Sequence, residues 1–270
     1  MSETNVLEFE KLQELLLQKK YAEFIQEIDQ CNPVDSADLL SQFPEDQVSR
    51  VFRLFKKDIA AEVFAELDSD LQELIIQHMT DREIGEMLEE LYTDDAVDML
   101  EEMPANVVKR IMKNATPETR EEINRFLAYP EESAGSVMTS EFIDLRKNMT
   151  CAEAITRIRR IGLDKETVYV AYVTDEKRVL EGVVVLKQLL FASPDELIGD
   201  IMNENVLYAS THDDREKVAN MISHYGIIAL PIVDKEKRLV GLVTVDDALE
   251  VIETEATEDI EKMAAMSPSD

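Results

Sequence analysis

The chain has 270 residues, enough for two or three domains, and its 45% apolar content with only 7 Gly and 8 Pro is that of a globular rather than a disordered protein. Its 28 Lys and Arg face 58 Asp and Glu, a formal charge of −30, which excludes phosphate backbones and anionic membrane surfaces as partners. Self-repulsion on that scale opposes compaction unless cations gather at the carboxylates, so divalent metal is one reading of the acidity and plain solubility the other. Cys31 and Cys151 are far apart and form no CxxC or Cys/His ligand spacing, which fits a reducing compartment. No apolar run approaches the roughly 18 residues of a membrane span, and the opening MSETNVLEFEKLQ is too acidic for a signal peptide. The chain as it stands is expected to be soluble and cytoplasmic.

A long first helix is predicted from about Val6 to Ile28, capping the array of helices after it. From about residue 37 to 115 an apolar pair followed by a third apolar residue recurs every twelve positions. The series is Leu39-Leu40/Phe43, Val51-Phe52/Phe55, Val63-Phe64/Leu67, Ile75-Ile76/Met79, Met87-Leu88/Leu91, Met99-Leu100/Met103 and Ile111-Met112/Ala115. The i, i+1, i+4 spacing puts each set on one side of a short helix. Helix starts are marked by Pro44, Ser69 with Gln72, Thr80 with Glu83, Thr93, Pro104 and Thr116-Pro117. At 3.6 residues per turn each unit has about two to three turns, too short to stand alone, so the units must stack as a solenoid over residues 1–130. The match of DLLSQFPEDQVSRVF to DMLEEMPANVVKRIM, five steps apart, supports a true repeat. Asp94 and Asp98 share a face if their helix begins near Thr93.

After YPEESAGSVMT the pattern changes to β-branched runs. Val168–Val173 and Val183–Val185 recur in order as Ile227–Val233 and Leu242–Val245, each pair joined by a charged turn, Asp175-Glu176-Lys177-Arg178 or Asp234-Lys235-Glu236-Lys237-Arg238. Amphipathic helices precede each pair, near Cys151–Ile161 and Arg215–Tyr225, and another comes after it from Leu186 or Val245. The predicted unit is strand-helix-strand-strand-helix, present twice.

Val137-Met138-Thr139 and Ile201-Met202-Asn203 resemble the "hM" openings of two CBS motifs and GLVTVDD (241–247) the motif ending; in their family two such motifs pack as a Bateman module that dimerises and binds adenosyl ligands. By that resemblance Thr244 and Asp247 would hold a ribose, a hydroxyl and a carboxylate suiting a diol; a plain helix start is the other reading of the pair. The first copy departs, with Val185 and Gln188 at those places. The solenoid, the Tyr-Pro-Glu-x-x-Ala-Gly-x-x-Met-Thr junction, the CBS pair and the helix DDALEVIETEATEDIEKM together resemble the cytosolic half of MgtE-type magnesium channels, over nearly the whole chain. The resemblance implies a multidomain α and α/β protein: solenoid 1–130, first CBS motif 131–199, second CBS motif 200–252, and a connecting helix 253–270 leading to a membrane domain absent from the sequence. It also implies a homodimer through the CBS motifs, in the full-length protein a place in the cell membrane with this part facing the cytoplasm, and no nucleic-acid partner.

Seven acids and no Lys or Arg lie between Thr244 and Ile260, and Asp247, Glu250, Glu255 and Glu258 fall on one half of a helix. There is no EF-hand loop and no HExxH, and His78, His212 and His224 share no ligand spacing with the cysteines. Mg2+ keeps most of its waters and takes one or two carboxylates, so it fits sparse acids better than Ca2+ or Zn2+ does. The acids that the resemblance matches to Mg2+ sites are Glu62, Asp94, Asp98, Asp214, Glu216, Asp247, Glu255, Glu258 and Asp259, with Glu250 on the same face of the last helix. Gly226 stands where family members carry an acid after the Tyr of the second CBS helix. The expected function is Mg2+ sensing, in which the bound ion compacts the domains and closes the pore. An adenine-nucleotide sensor, with ATP or a relative as ligand, and a protein-docking solenoid are the alternatives. No nucleophile-base set, Walker motif or dinucleotide loop suggests an enzyme.

Overall fold

The computed structural model describes residues 3–265, with side chains at 9–57, 59–258, 260 and 262. Two compact units emerge, Met1–Leu91 with Asp95–Asn124, and Tyr92–Asp94 with Arg125–Asp270.

The helices of the first half are α1 Glu3–Leu17, α2 Tyr21–Ile28, α3 Pro33–Ser41, α4 Glu45–Phe52, α5 Lys57–Ala65, α6 Ser69–His78, α7 Asp81–Leu88, α8 Thr93–Glu102, α9 Ala105–Asn114 and α10 Pro117–Phe126. The twelve-residue beat is the core. All six apolar pairs from Leu39-Leu40 to Met99-Leu100 are buried, as is Ile111, and alternate helices pack together: α3 on α5, α5 on α7, α7 on α9, α4 on α6. Helices of eight to ten residues leave their end groups close together, and arginines from neighbouring turns satisfy them. Arg110 donates to Ile76 O (2.9 Å) and Met79 O (2.5 Å), and Arg120 to Met112 O (2.8 Å) and Ala115 O (3.0 Å).

Two expectations need correction here. The single long first helix is two, α1 and α2, because Lys19 adopts φ 58° and closes a Schellman turn, with Lys20 N donating to Leu15 O and Lys19 N to Leu16 O. A lysine in that role carries no sequence flag, since glycine is the usual occupant. The start expected at Ser69 with Gln72 is made by Asp68, whose Oδ1 accepts from Leu71 N at 2.9 Å. Gln72 is buried and donates instead to Phe64 O at 2.9 Å. The Thr80–Glu83 capping box forms as expected.

The second unit contains β1 Asp144–Leu145, α11 Cys151–Ile161, a 3-10 turn Gly162–Asp164, β2 Val170–Thr174, β3 Leu180–Val185, α12 Leu186–Phe191, α13 Ile198–Ile201, β4 Ala209–Ser210, α14 Arg215–Tyr225, β5 Ala229–Val233, β6 Leu239–Thr244 and α15 Val245–Ala265. This is the duplicated strand-helix-strand-strand-helix unit. The sheets are ordered β1-β2-β3 and β4-β5-β6, the first pair in each parallel and the second antiparallel. Both faces of β2 and β5 are covered, which is why their sequences read as continuous apolar runs rather than alternations. Ala171 and Val173 face the core of the first repeat, while Val170 and Tyr172 pack with Leu180, Ala229, Leu239 and Leu242 between the repeats. Burial pushes the Tyr172 phenol pKa up, and its hydroxyl donates to Ala229 O at 3.2 Å.

The repeats exchange their opening segments. Thr139, before the first repeat, pairs with Leu242 of β6, and Asn203, before the second, pairs with Val183 of β3. Gly241 and Gly182 permit this approach, since a Cβ at Gly241 would lie 2.7 Å from Thr139 O, and one at Gly182 2.6 Å from Met202 Sδ. The "hM" openings and the strand glycines are therefore two halves of one packing arrangement. The charged turns match too, with Arg178 (φ 66°) and Lys237 (φ 62°) at equivalent places and each backbone carbonyl accepting from the other repeat. The boundaries expected at 199/200 and 252/253 fall inside α13 and α15, so no break in secondary structure marks them.

Candidate functional site

The junction YPEESAGSVMT is bound along the start of the second repeat. Ala134 N donates to Asp213 O (2.7 Å), Gly135 N to Thr211 O (3.0 Å) and Arg215 N to Glu132 O (3.0 Å). Gly135 is required because a Cβ there would come within 2.5 Å of the Tyr129 ring. That contact explains the Tyr and Gly of the motif together.

The expected metal-site acids occupy varied settings. Glu62 on α5 and Asp98 on α8 are exposed, whereas Asp94, in the first turn of α8, is buried. The helix does begin at Thr93, so Asp94 and Asp98 share a face. Thr93 and Asp94 group with the second unit, where Thr93 Oγ1 donates to Glu141 Oε1 at 2.8 Å. Asp214 caps α14, its Oδ1 accepting from Lys217 N at 3.0 Å, and the exposed Glu216 lies in the first turn.

α15 begins directly at the end of β6. Asp247 is half-buried, and its Oδ2 accepts from Thr244 N at 3.2 Å and from the Thr244 hydroxyl. Burial raises the Asp247 pKa, Asp246 and Glu250 push it further, and the Thr244 bonds oppose them. The pair expected to hold a ribose is thus closed on itself as a helix start, the other reading of these residues. In the first repeat Gln188 does the equivalent, accepting from Val185 N (2.9 Å) and donating to Ile201 O (3.1 Å).

Further along α15, Glu250 is exposed, Glu255 meets Arg215, and Glu258 meets Lys262 at 2.9 Å, which lowers its pKa. The Asp259 side chain lies outside the described residues. Asp246, Asp247 and Glu250 are thus brought together, and two of the acids counted as lacking basic partners have them. Among the described residues no group of three or more His, Cys, Asp and Glu is arranged to hold a metal ion. Arg215 and Glu132 were missed as functional residues: Arg215 sits in a mixed run, HDDREK, where nothing distinguishes it from a solvated cation. Gly226 has a local cause, since it ends α14 at φ 59°, a left-handed position that glycine fills without strain.

A stack of short helices followed by a duplicated strand-helix-strand-strand-helix unit defines the class as a multidomain α and α/β protein, and no helix among the described residues is long and apolar enough to cross a membrane. The family model for the MgtE intracellular N domain matches residues 31–132, and that for the CBS domain matches 198–254; neither is a catalytic family. The magnesium transporter MgtE of Thermus thermophilus is 38% identical over 96% of this chain and 58% of its own length, and that of Bacillus subtilis 28% identical over 93% and 56%. The crystal structure of the soluble part of a magnesium transporter superposes with a TM-score of 0.88 at 30% identity, covering 93% of this chain and 99% of that one. The cytosolic domain of the Mg2+ channel MgtE in complex with ATP superposes with a TM-score of 0.82 at 36% identity, covering 89% and 98%. The chain belongs to the MgtE family, and it spans a little over half the length of these two curated relatives.

Proposed function

We propose that this chain is the cytosolic Mg2+-sensing part of a magnesium channel or transporter, in which Mg2+ bridging of acidic faces compacts the domains and favours pore closure. The observation that carries it is the position of Asp246, Asp247 and Glu250 in the first two turns of α15, the helix that leads out of the last repeat, where Asp246 and Glu250 oppose the half-buried Asp247 charge. Like charges held together by the fold store repulsion that a divalent ion relieves. Glu62, Asp94, Asp98, Asp214, Glu216, Glu258 and Asp259 would supply further weak sites, and Glu255 acts with Arg215. A ligand shifts such an equilibrium only by its differential affinity for the two states, so several weak sites together give a steep response. The full-length protein would act as a homodimer through the CBS repeats, coupled to its own membrane domain. Small-angle scattering and protease resistance across a millimolar-range Mg2+ titration test the reading. Smaller dimensions and slower cleavage with Mg2+ support it; no change across the titration refutes it.

A second ligand is favoured by the relative solved in complex with ATP. ATP or another adenine nucleotide would bind the CBS pair, with Thr244 and Asp247 parting to take the ribose. Calorimetry with ATP and AMP, with and without Mg2+, on the wild type and Asp247→Ala tests this. Unchanged ATP affinity in the variant would exclude that placement.

A further inference from the structure

Arg215, the first residue of α14, is held between two acids from different parts of the chain. Its Nε lies 3.2 Å from Glu132 Oε2 in the junction, and its Nη2 lies 3.3 Å from Glu255 Oε1 on α15. Its own amide donates to Glu132 O at 3.0 Å, which fixes the base of the side chain as well as its tip. The side chains of Arg215 and Glu255 are 17% and 22% exposed, so this pair is screened less than an ordinary surface pair. The same guanidinium helps to lower the Glu258 pKa. Between Val245 and Ile260 the helix has no Lys or Arg, so this cation has to come from another element.

We infer that Arg215 is a built-in cation that positions α15 on α14 and the junction independently of Mg2+. A fixed guanidinium does at this seam what a divalent ion does between facing carboxylates, but its contribution does not vary with metal concentration. Metal dependence is therefore confined to the other acids, and removing Arg215 makes this seam divalent-dependent. Those last two points rest on the Mg2+-sensing reading; the positioning of α15 by Arg215 does not.

Hydrogen exchange on the whole chain tests both parts, using the wild type, Arg215→Lys, Arg215→Met and Arg215→Met/Glu255→Gln, in chelator and in millimolar Mg2+. In chelator, the α15 amides around Glu255 are expected to exchange about tenfold faster in Arg215→Met, the effect of one charged hydrogen bond, and Arg215→Lys is expected to recover part of the protection. β5 and β6 amides serve as the folding control and should not change. Mg2+ should restore protection in Arg215→Met and fail to do so in the double variant, because a neutral Glu255→Gln offers the ion no charge. Unchanged exchange in chelator, or a rise that extends through β5 and β6, overturns the clamp. Equal restoration by Mg2+ in single and double variants overturns the competition between Arg215 and metal. The chelator comparison contains no metal, so the clamp is judged even if the wild type proves indifferent to Mg2+.

Discussion

Asp247→Asn separates the charge of this residue from its hydrogen bonding. The amide oxygen still accepts from Thr244 N and Oγ1, while the charge that burial, Asp246 and Glu250 penalise is removed. Three effects compete. Partial desolvation of the carboxylate opposes its charge. The i, i+3 repulsion from Glu250 adds about 0.3 kcal/mol, and the favourable helix dipole at the first turn subtracts about 0.5 kcal/mol. Burial and the two neighbouring acids outweigh the Thr244 bonds, so the substitution should stabilise at pH 7 without metal and raise the Tm. Linkage gives the sign of the pH dependence. A carboxyl whose folded pKa is raised binds more protons folded than unfolded, so its stabilising effect is present at low pH and lost as pH rises from the ordinary value through the folded one. The gain of Asp247→Asn should therefore vanish near pH 4 and shrink in millimolar Mg2+, where the wild-type charge is compensated. Thermal unfolding by circular dichroism at pH 4 and 7, in chelator and in Mg2+, reads all four corners. A lower Tm for the variant in chelator at pH 7, or a gain indifferent to both pH and Mg2+, would refute the reasoning.

Thr80→Ala removes the capping box of α7 and should cost about 1 kcal/mol in urea unfolding at pH 7. The Thr80 backbone amide, which the variant keeps, is the main cause that holds the Glu83 pKa down, so that stability is present above the ordinary carboxylate value and lost as pH falls through the folded one in both proteins; loss of the Thr80 hydroxyl contact should flatten the variant's acid limb only slightly. Gly226→Ala meets open space but carries φ 59°, so about 1 kcal/mol of backbone strain is expected by denaturant titration, and Gly226→Asn should lose less. Gly241→Ala forces a Cβ to 2.7 Å from Thr139 O, a backbone atom that cannot rotate away, and should destabilise by about 1–3 kcal/mol or more. Gly182→Ala meets the flexible Met202 side chain first, so its Tm should fall less than that of Gly241→Ala.

The solenoid was legible because its helices are too short to survive except by burying one face, and burial of one face writes a period into the sequence. The CBS repeats were legible because β-branched runs and charged turns recur in the same order, whereas the role of Gly182 and Gly241 in admitting the opening segments shows only in the structure. The break at Lys19 left no such trace, because a left-handed turn made by a lysine carries no glycine to mark it. Arg215 is the same problem carried to function. Reading α15 by itself counts seven acids without a basic partner and assigns the deficit to metal, yet the partner lies 40 residues upstream on a helix that the fold brings alongside. Helical spacing reports which residues share a face, and charge composition reports how much compensation is needed, but neither reports which cation supplies it. Along α15 the acids therefore fall into two kinds. Glu255 is answered by Arg215 on α14, which ties the two helices together, and Glu258 is paired within α15 by Lys262. Asp246 and Glu250 both oppose the charge on Asp247, and under the proposed Mg2+ reading that is where an exchangeable ion would act.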